Sequence, residues 1–413
     1  MSGFARAGDS LACDGVALEP LAERHGTPLY VYSAPALREA FQAYDAAFAA
    51  VPHRVCYALK ANSCGALLRL FAGLGAGADI VSGGELRAAL RAGFPAERIV
   101  FSGVGKTEAE MELAVAHDVG EFNAESEEEI RRLSAVAQRA GRRARVTLRV
   151  NPDIDPRSHP YISTGLRENK FGVDIGLAPE ILRRARGLPA IDVVGVQCHI
   201  GSQITDLEPL AAAARALAGL SRSLLADGFA LRTIDVGGGL GIDYETGSPG
   251  PGAQALAEAI LPAFRDLPLT LLLEPGRSLV ARSGALLTRV LYVKENRGKR
   301  FVIVDAGMND LLRPSLYQAF HRIEAVRPRG GAAQPVDVVG PVCETGDFLA
   351  RGRELPPVEP GDLIAVRDAG AYGFVMSSNY NLRGRAAEVM VDAGEARLVR
   401  RRETFDDLVA TEV

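Results

Sequence analysis

The chain has 413 residues, of which 47% are hydrophobic and 24% are charged, and its formal net charge is −4. This length allows two domains with complete cores, and the small negative charge gives no electrostatic footprint for nucleic acid or for an anionic membrane surface. No apolar run approaches the roughly 20 residues of a membrane span, and the N-terminus lacks a hydrophobic signal core, so we expect a cytoplasmic protein that does not bind membranes.

From about residue 34 to residue 280, apolar runs of β type alternate with helical stretches rich in Ala, Leu, Arg and Glu. The helical stretch SGGELRAALRAG, for example, places apolar residues at helical spacing and ends on Gly. Such alternation predicts parallel strands, because each crossover needs a helix. Eight units over about 250 residues predict an α/β fold of the TIM (β/α)8 barrel type, with a doubly wound open sheet as the structural alternative. The predicted strands are RVCYALK, GADIVS, RIVFSG, GEFNAES, RVTLRVNP, VVGVQCHIG, TIDVGGG and TLLLEPG.

The rhythm of the sequence changes after residue 280, where short β-rich runs are separated by turn residues and helical material is scarce. Runs such as RFVIVDAG, PVDVVGPVC and AAEVMVDA predict a C-terminal, mainly antiparallel β domain. We expect residues 34–280 to form the barrel, and residues 1–33 to join residues 281–413 in the β-rich domain.

Chemistry in a TIM barrel lies at the C-terminal ends of the strands. The first predicted strand ends on Lys60, which is either a side chain that snorkels to solvent or a catalytic amine at the barrel mouth. Charged side chains and a triple glycine that converge on one face of a barrel favour a functional site. The predicted strand ends carry Lys60, Asp79, Ser102, Asn123, Arg149, His199, Gly237–Gly239 and Glu274.

Three of these strand ends suggest a particular cofactor. The triple glycine allows backbone N–H groups to approach an anion, although it could also form a plain tight turn. Glu274 needs a cation or a donor, which could be a protonated pyridine nitrogen or, in the simpler alternative, Arg149 or Arg277. His199 could be a general base, a metal ligand or a flat ring packed on another ring. A lysine, a buried carboxylate and a phosphate cradle together fit pyridoxal 5'-phosphate.

Two other patterns carry no site in our interpretation. The segment VGKT at 104–107 resembles the end of a P-loop, but Val100 stands where that motif needs glycine. The five cysteines are scattered and form no Cys-x-x-Cys pair, and the histidines are dispersed. We therefore predict neither a disulfide framework nor a metal site.

Nine motifs follow one another along the chain: YALKAN, LRVNP, HPYISTGLRENKFG, HIGSQ, GGGLGIDY, EPGR, DAGMNDLLRPSLY, CETGD and GAYG…SSNYN. In their order and spacing, over essentially the whole length, the chain resembles the diaminopimelate decarboxylases. These are fold-type III pyridoxal-phosphate enzymes related to ornithine decarboxylase and, through the barrel alone, to alanine racemase. One small departure is Thr345, where the family often has serine. The resemblance implies decarboxylation of meso-2,6-diaminopimelate to L-lysine and carbon dioxide, the last step of lysine biosynthesis.

The resemblance also implies roles for the residues that match these motifs. Lys60 would form a Schiff base with the cofactor, Glu274 would pair with the pyridine nitrogen, and His199 would stack on the ring. Asp79 and Arg149 would support the ring and the lysine. The residues implied around the phosphate are Ser202, Gly237, Gly238, Gly239, Gly276, Arg277 and Tyr372.

The resemblance places the substrate among residues of both predicted domains, and it implies a head-to-tail homodimer whose sites are shared across the interface. Cys343, the implied proton donor, and Glu344 would come from the partner subunit. From the residues alone, Arg313 and Tyr317 share a helix face if their segment is helical, and Cys343 would ordinarily be a small buried side chain. The implied substrate contacts are Arg277, Arg313, Tyr317, Glu344 and Tyr372.

Two alternative functions remain open at this stage. One is a decarboxylase of the same fold that acts on another basic amino acid or on carboxynorspermidine. The other is a non-catalytic protein that only binds pyridoxal phosphate. An amino-acid racemase would need an acid or base on each face of the ring, and no obvious second base is present.

Overall fold

The structure is a computed structural model that describes residues 3–155, 164, 170–248 and 250–413. The chain divides into two compact units. The barrel unit comprises Phe41–Ile242 and Gly250–Ser278, and the β unit comprises Met1–Ala40, Asp243–Pro249 and Leu279–Val413. Within the described part of the chain, no helix is both long enough and apolar enough to cross a bilayer.

The strands, in chain order, are β1 (Phe4–Ala7), β2 (Ser10–Cys13), β3 (Val16–Ala17), β4 (Leu29–Ser33), β5 (His53–Ala58), β6 (Gly77–Ile80), β7 (Ile99–Phe101), β8 (Glu121–Ala124), β9 (Ala144–Asn151), β10 (Val173–Asp174), β11 (Ile191–Gln197), β12 (Thr233–Asp235), β13 (Thr270–Leu273), β14 (Gly284–Asn296), β15 (Lys299–Val304), β16 (Ile323–Ala325), β17 (Gln334–Val339), β18 (Phe348–Leu355), β19 (Leu363–Val366), β20 (Ala387–Asp392) and β21 (Glu395–Arg400). The α-helices are α1 (Leu18–His25), α2 (Ala34–Phe48), α3 (Gly65–Gly73), α4 (Gly83–Ala92), α5 (Glu108–Ala116), α6 (Glu127–Arg139), α7 (Ala178–Arg186), α8 (Leu207–Ala226), α9 (Gly252–Ile260), α10 (Arg277–Val280), α11 (Arg313–Tyr317) and α12 (Phe405–Val409).

The barrel unit is a closed ring of eight parallel strands in the order β5-β6-β7-β8-β9-β11-β12-β13, and β13 pairs with β5 to close it. Short β10 pairs only with β9. Each of the eight predicted strands is present, so the prediction of a TIM barrel is confirmed and the open-sheet alternative is wrong. This closure brings the C-terminal ends of all eight strands to one rim.

Local sequence explains where the barrel helices begin and end. The hydroxyl of Ser82 accepts a hydrogen bond from the Glu85 amide at the start of α4, and Thr107 forms a reciprocal capping box with Glu110 at the start of α5. Helix α4 ends at Gly93, whose φ of +95° suits glycine. These signals fix the helices between the strands, and thereby the spacing of the strand ends.

The β unit is mainly antiparallel, as predicted. Its large sheet follows the path β18-β17-β15-β14-β4-β20-β21, and only the pairs β15–β17 and β4–β20 are parallel. Alternate residues of the central strands enter one core, as Leu29 and Val31 of β4 and Val389 and Val391 of β20 do. The residues between them, such as Tyr30 and Tyr32 of β4, are buried as well, so these central strands are buried on both faces.

Candidate active site

Lys60 follows β5 directly at the C-terminal rim of the barrel. The strand ends at Ala58, and Lys60 lies in the 3-10 turn Leu59–Ala61. Our prediction that the strand runs to Lys60 was wrong, because the Asn62 amide donates back to the Leu59 carbonyl and closes the turn. Lys60 Nζ donates to Asp79 Oδ2 at 2.6 Å, and the lysine side chain is 36% exposed whereas the aspartate is 0% exposed. The amine therefore reaches the rim while its counter-charge is buried.

Glu274, directly after β13, lies in a network that crosses the barrel interior. Its Oε1 accepts from Asn123 Nδ2 at 3.1 Å and from Ser102 Oγ at 3.4 Å, and its Oε2 accepts from Gln197 Nε2 at 3.3 Å. The Asn123 amide also donates to Asp235 Oδ2 at 3.3 Å. Because β8 and β13 are not neighbours in the ring, these contacts span the interior.

The two carboxyl groups of this network cannot both ionise easily. Burial, followed by the charge of Asp235, raises the pKa of Glu274 well above its ordinary value. Burial also raises the pKa of Asp235, to about 6. Two adjacent buried carboxyl groups tend to share a proton because the second negative charge would be uncompensated. A cation close to Glu274 would therefore stabilise the ionised form of this carboxyl group.

The arginines that could have neutralised Glu274 have other partners. Arg149 Nη1 forms an ion pair with Glu125 Oε1 at 2.6 Å, and both side chains are almost fully buried. Arg149 Nη2 also donates to the carbonyl of His199 at 3.3 Å. Arg277 Nη2 donates to Ser202 Oγ at 3.0 Å. Amide and hydroxyl donors hold the carboxyl group of Glu274.

His199 lies just beyond β11 as a neutral ring. Its Nδ1 accepts a hydrogen bond from the Gly238 amide at 3.1 Å, so the ring proton belongs on Nε2. Burial, with the positive charges of Arg149 and Lys60, lowers the pKa of His199 well below its usual value. No group of three or more His, Cys, Asp or Glu side chains suited to a metal occurs among the described residues. This geometry favours the flat-ring interpretation of His199 over the metal-ligand one.

The triple glycine forms a close-packed loop after β12. A Cβ on Gly238 would lie 2.2 Å from the carbonyl oxygen of Glu274, so only glycine fits there without a backbone shift. Gly239 has a φ of +106°, which side chains other than glycine rarely allow. The predicted phosphate residues Ser202 and Arg277 contact each other in the same unit. The loop thus presents main chain, rather than side chains, at the rim.

The predicted substrate residues Arg313 and Tyr317 belong to the β unit. They begin and end α11, so the segment is helical as the spacing required. Arg313 is buried, and its Nη1 lies 2.7 Å from Nε2 of His321. The other nitrogen of His321 lies 2.8 Å from the Arg367 carbonyl, which can only accept, so Nδ1 donates and Nε2 accepts from the arginine. The Arg313 guanidinium also lies over the Tyr244 ring, 4.5 Å from its centroid.

Cys343 and Glu344 lie on an exposed surface of the β unit. Our expectation of a buried Cys343 was wrong, since it is exposed whereas the other cysteines are buried. Cys343 Sγ lies 3.7 Å from Asn381 Oδ1, and the Tyr380 hydroxyl donates to Glu344. Leu382, in the same segment as Tyr380 and Asn381, is 66% exposed. We call Cys343, Glu344, Tyr380 and Leu382 the exposed cysteine patch.

Tyr372, also in the β unit, has a left-handed backbone conformation with φ of +55°. A bulky residue rarely adopts it, and such strain clusters at ligand sites. Most of the motif HPYISTGLRENKFG, at 159–172, lies outside the described residues.

Several residues of the network were missed by sequence reasoning. Ser102 and Asn123 were recognised as strand ends but received no role, and Asp235, Gln197 and Glu125 were not singled out. An acidic residue inside the apolar run TIDV was the available signal for Asp235. Lys106, the lysine of the segment VGKT that resembles the end of a P-loop, is buried. It donates to the carbonyls of Gly103 and Asn123, which agrees with our rejection of a P-loop.

The barrel rim fits pyridoxal phosphate. It offers the amine of Lys60 paired with a buried carboxylate, the carboxyl group of Glu274, whose ionised form a cation would stabilise, and a glycine loop free of side chains. In addition, three of the buried oxygens that find no hydrogen-bond partner within the described part of the chain belong to the barrel unit, namely Asp79 Oδ1, Asn123 Oδ1 and Gln197 Oε1. Buried polar atoms normally have partners, so these oxygens are consistent with a polar group bound at the rim.

Comparisons with known proteins agree with this geometry. Residues 35–281 match the family model described as pyridoxal-dependent decarboxylase, pyridoxal binding domain. The chain is 53% identical over 412 residues to the diaminopimelate decarboxylase of Pseudomonas aeruginosa, with 100% of this chain and 99% of that protein covered.

Solved structures give the same result. The diaminopimelate decarboxylase of Helicobacter pylori, complexed with L-lysine, matches with a TM-score of 0.92 and 47% identity over 96% of this chain and 99% of that chain. The diaminopimelate decarboxylase of M. jannaschii, also with L-lysine, matches with a TM-score of 0.95 and 39% identity over 100% of this chain and 99% of that chain.

Proposed function

Because the chain belongs to the diaminopimelate decarboxylases, we propose that the residues of the barrel rim bind its cofactor and that residues of the β unit recognise its substrate. The protein is a carboxy-lyase that converts meso-2,6-diaminopimelate to L-lysine and carbon dioxide with pyridoxal 5'-phosphate. The observation that carries the assignment of the rim is the contact of Lys60 Nζ with the fully buried Asp79.

When bound, pyridoxal phosphate acts as an electron sink for the pair of electrons left on Cα after carbon dioxide departs. Lys60 would hold the cofactor covalently through its amine. Glu274 would face the pyridine nitrogen and stabilise its positive charge, and the neutral ring of His199 would pack on one face. Asp79 and Arg149 would orient the lysine and the ring, since each is buried in an ion pair.

The phosphate would lie against the glycine loop. The amides of Gly237 and Gly238 already donate to Asp235 Oδ1 and His199 Nδ1, so these glycines would contribute by keeping side chains away from the anion, and a guanidinium would add a charge-assisted bond. Tyr372, with its strained backbone, is the proposed phosphate residue that belongs to the β unit. The proposed phosphate residues are Ser202, Gly237, Gly238, Gly239, Gly276, Arg277 and Tyr372.

The substrate carries an amino-acid group at each end, so its distal end needs both an anion reader and a cation reader. Arg277 or Arg313 would bind the distal carboxylate, and Glu344 the distal ammonium. Tyr317 and Tyr372 would complete the contacts. A compound lacking one distal group would leave a reader buried and unpaired, which is costly, and this is the basis of specificity for diaminopimelate. The alternative decarboxylase substrates and the non-catalytic alternative are not favoured by the comparisons.

We further propose a homodimer in which the partner subunit's Cys343 protonates Cα and the partner subunit's Glu344 joins the substrate site. The exposed cysteine patch supports this, because a thiol and a leucine that are both exposed on one chain suit an interface. A cytoplasmic location is our proposal from the biosynthetic reaction, and cell fractionation would test it.

The experiment that tests the proposed function is incubation of purified protein and pyridoxal phosphate with meso-diaminopimelate. Lysine and carbon dioxide should appear in equal amounts, and ornithine in place of diaminopimelate should give no comparable release. Turnover of ornithine at a similar rate would contradict the proposed distal readers. Absence of both products and of bound cofactor would contradict the assignment of Lys60.

A further inference from the structure

The side chain of Asn123 lies at the centre of the buried network, among residues from three other strands of the barrel. Its Nδ2 is 3.0 Å from Ser102 Oγ, 3.1 Å from Glu274 Oε1 and 3.3 Å from Asp235 Oδ2. Asn123, Asp235 and Glu274 are all almost completely buried. Asn123 is therefore the described residue whose amide group bridges the two buried carboxyl groups.

The orientation of this amide follows from its neighbours. Asp235 and Glu274 share a proton, so one of them is a carboxylate that can only accept, and the group that faces the pair is the N–H2 end. Rotating the amide by half a turn would direct its oxygen at the ionised carboxyl group, which would be repulsive. Asn123 thus supplies neutral donors where an acid side chain of the same shape would add a further carboxyl group to the buried pair.

The main chain of Asn123 is held as firmly as its side chain. Its carbonyl accepts from Lys106 Nζ at 2.7 Å, and the same ammonium donates to the Gly103 carbonyl at 2.8 Å and pairs with Glu129 Oε1 at 2.7 Å. The Lys106 side chain is 0% exposed. A buried ammonium with three partners has little freedom, so it fixes the position from which Asn123 reaches across the barrel.

We propose that Asn123 is a positioning residue that holds Glu274 and Asp235 together and sets the direction in which Glu274 faces the cofactor ring nitrogen. This inference rests on the role of Glu274 in the proposed function. Without the amide, Glu274 keeps its hydrogen bond with Asp235 and the longer contacts with Ser102 and Gln197, at 3.4 and 3.3 Å. Its carboxyl group would then turn more freely, and its interaction with Asp235 would lose the shared donor.

Other charged groups also act on this pair. Asp79 and Lys60 influence Glu274, and Glu121 and Asp79 influence Asp235. Glu121 is itself held by the hydroxyls of Thr147 and Thr233. A substitution at Asn123 alters none of these groups, so a changed titration of the bound cofactor in the neutral variant Asn123→Ser would report on the loss of the amide.

The test compares Asn123→Asp, which keeps the shape but adds a negative charge, with Asn123→Ser, which is neutral and keeps one donor. We expect kcat to fall about tenfold to a hundredfold in Asn123→Asp, which is the loss typical of residues that orient the ligand-binding side chains without contacting the ligand. The KM for diaminopimelate should be unchanged, because Asn123 reaches the carboxyl network and not the predicted substrate residues. The absorbance of the bound cofactor should titrate at a shifted pH, and Asn123→Ser should restore part of both effects.

The matched control is Ser134→Ala, which removes an equally buried hydroxyl bonded to the Pro189 carbonyl at 2.5 Å on the outer helix α6. It should lower stability without moving the cofactor titration. If both Asn123 variants behave like this control, the inference is overturned. Glu274→Gln distinguishes a failure of this inference from a failure of the proposed role of Glu274. If Glu274→Gln changes the cofactor titration and neither Asn123 variant does, this inference alone is overturned. An unchanged titration in Glu274→Gln overturns the role of Glu274 and this inference with it.

Discussion

The pairing of Lys60 with Asp79 gives the first prediction at the scale of single residues. Lys60→Ala should abolish covalent cofactor binding and turnover, because no other amine would replace it at this position. In the apoprotein the change should also cost about 1–3 kcal/mol of unfolding free energy, since it leaves the carboxylate of Asp79 buried without its cation. Urea unfolding of the apoprotein and the absorbance of the bound cofactor measure the two effects.

The double variant Lys60→Ala/Asp79→Asn is the control. It removes the buried charge together with the amine, so most of the lost stability should return while turnover stays absent. Retained turnover in Lys60→Ala would contradict the proposed role of the lysine. Equal stability of the single and double variants would show that the ion pair is not what the apoprotein loses.

Asp235 gives a prediction about pH. Its pKa is raised by burial to about 6 from an ordinary value of 3.8, so the folded chain binds this proton more tightly than the unfolded chain. The stability it contributes is fully present below pH 3.8 and is lost as the pH rises through 6. Asp235→Asn cannot titrate, so the apoprotein variant should gain roughly 3 kcal/mol relative to the unaltered chain across this window.

The comparison for that measurement is Asp266→Asn. A hydrogen bond from Arg222 lowers the pKa of the exposed Asp266 to about 2, so this group stays ionised across the same window. The unfolding free energy of Asp266→Asn, measured with urea, should therefore change between pH 4 and pH 6 in the same way as that of the unaltered chain. If the unfolding free energy of Asp235→Asn shows the same pH dependence as that of the unaltered chain, the carboxyl pair does not share a proton in the way the network suggests.

At the scale of elements, the sequence predicted every barrel strand because strand and helix periods differ and capping residues mark the helix starts. Its errors lie in one local turn and in the contacts that tertiary structure decides. The strand that precedes Lys60 stops early because Asn62 bonds back to Leu59. Which interior residues meet across the ring depends on closure and register, which no local pattern states, so the link from Asn123 to Glu274 was not predictable. Strand ends could be recognised individually, but their mutual contacts could not.

The loop after β12 yields a prediction at this scale. Gly238→Ala would place a Cβ 2.2 Å from the Glu274 carbonyl, so the loop or β13 must shift, at a cost of about 1–3 kcal/mol. Cofactor affinity should fall with it, because the moved main chain includes the proposed phosphate cradle. Urea unfolding of the apoprotein and titration with pyridoxal phosphate measure the two effects.

Gly219→Ala is the matched substitution for that experiment. Gly219 lies within α8, and a Cβ there would meet nothing within 4 Å. Alanine in a helix interior is favoured over glycine by roughly 0.5–1 kcal/mol, so this variant should be slightly more stable and bind cofactor normally. Equal behaviour of the two variants would mean that the loop can accommodate a side chain and is less constrained than its geometry indicates.

At the scale of the whole molecule, the net charge of −4 gives no electrostatic footprint for nucleic acid, and composition could not indicate a partner surface. Cys343 is exposed, the opposite of what a lone cysteine suggests, and in the proposed dimer a second chain would cover it. Leu382→Asp should therefore weaken the proposed dimer, since a charge at an apolar interface is left without a partner. Light scattering after size exclusion measures the mass, and Leu398→Asp, at another exposed leucine on β21, is the control that should leave the mass unchanged.

The shared site can be tested directly by mixing two inactive chains. If Lys60 of one subunit works with the partner subunit's Cys343, co-expressed Lys60→Ala and Cys343→Ala chains should form mixed dimers in about half of all cases, by the symmetry of a two-fold assembly. Each mixed dimer has one site with both substitutions and one site with neither, so about a quarter of the normal activity should return. If both residues act within one subunit, every site carries a substitution and mixing restores nothing. Because each homodimer alone stays inactive or strongly impaired, recovered lysine formation can come only from sites built by two chains.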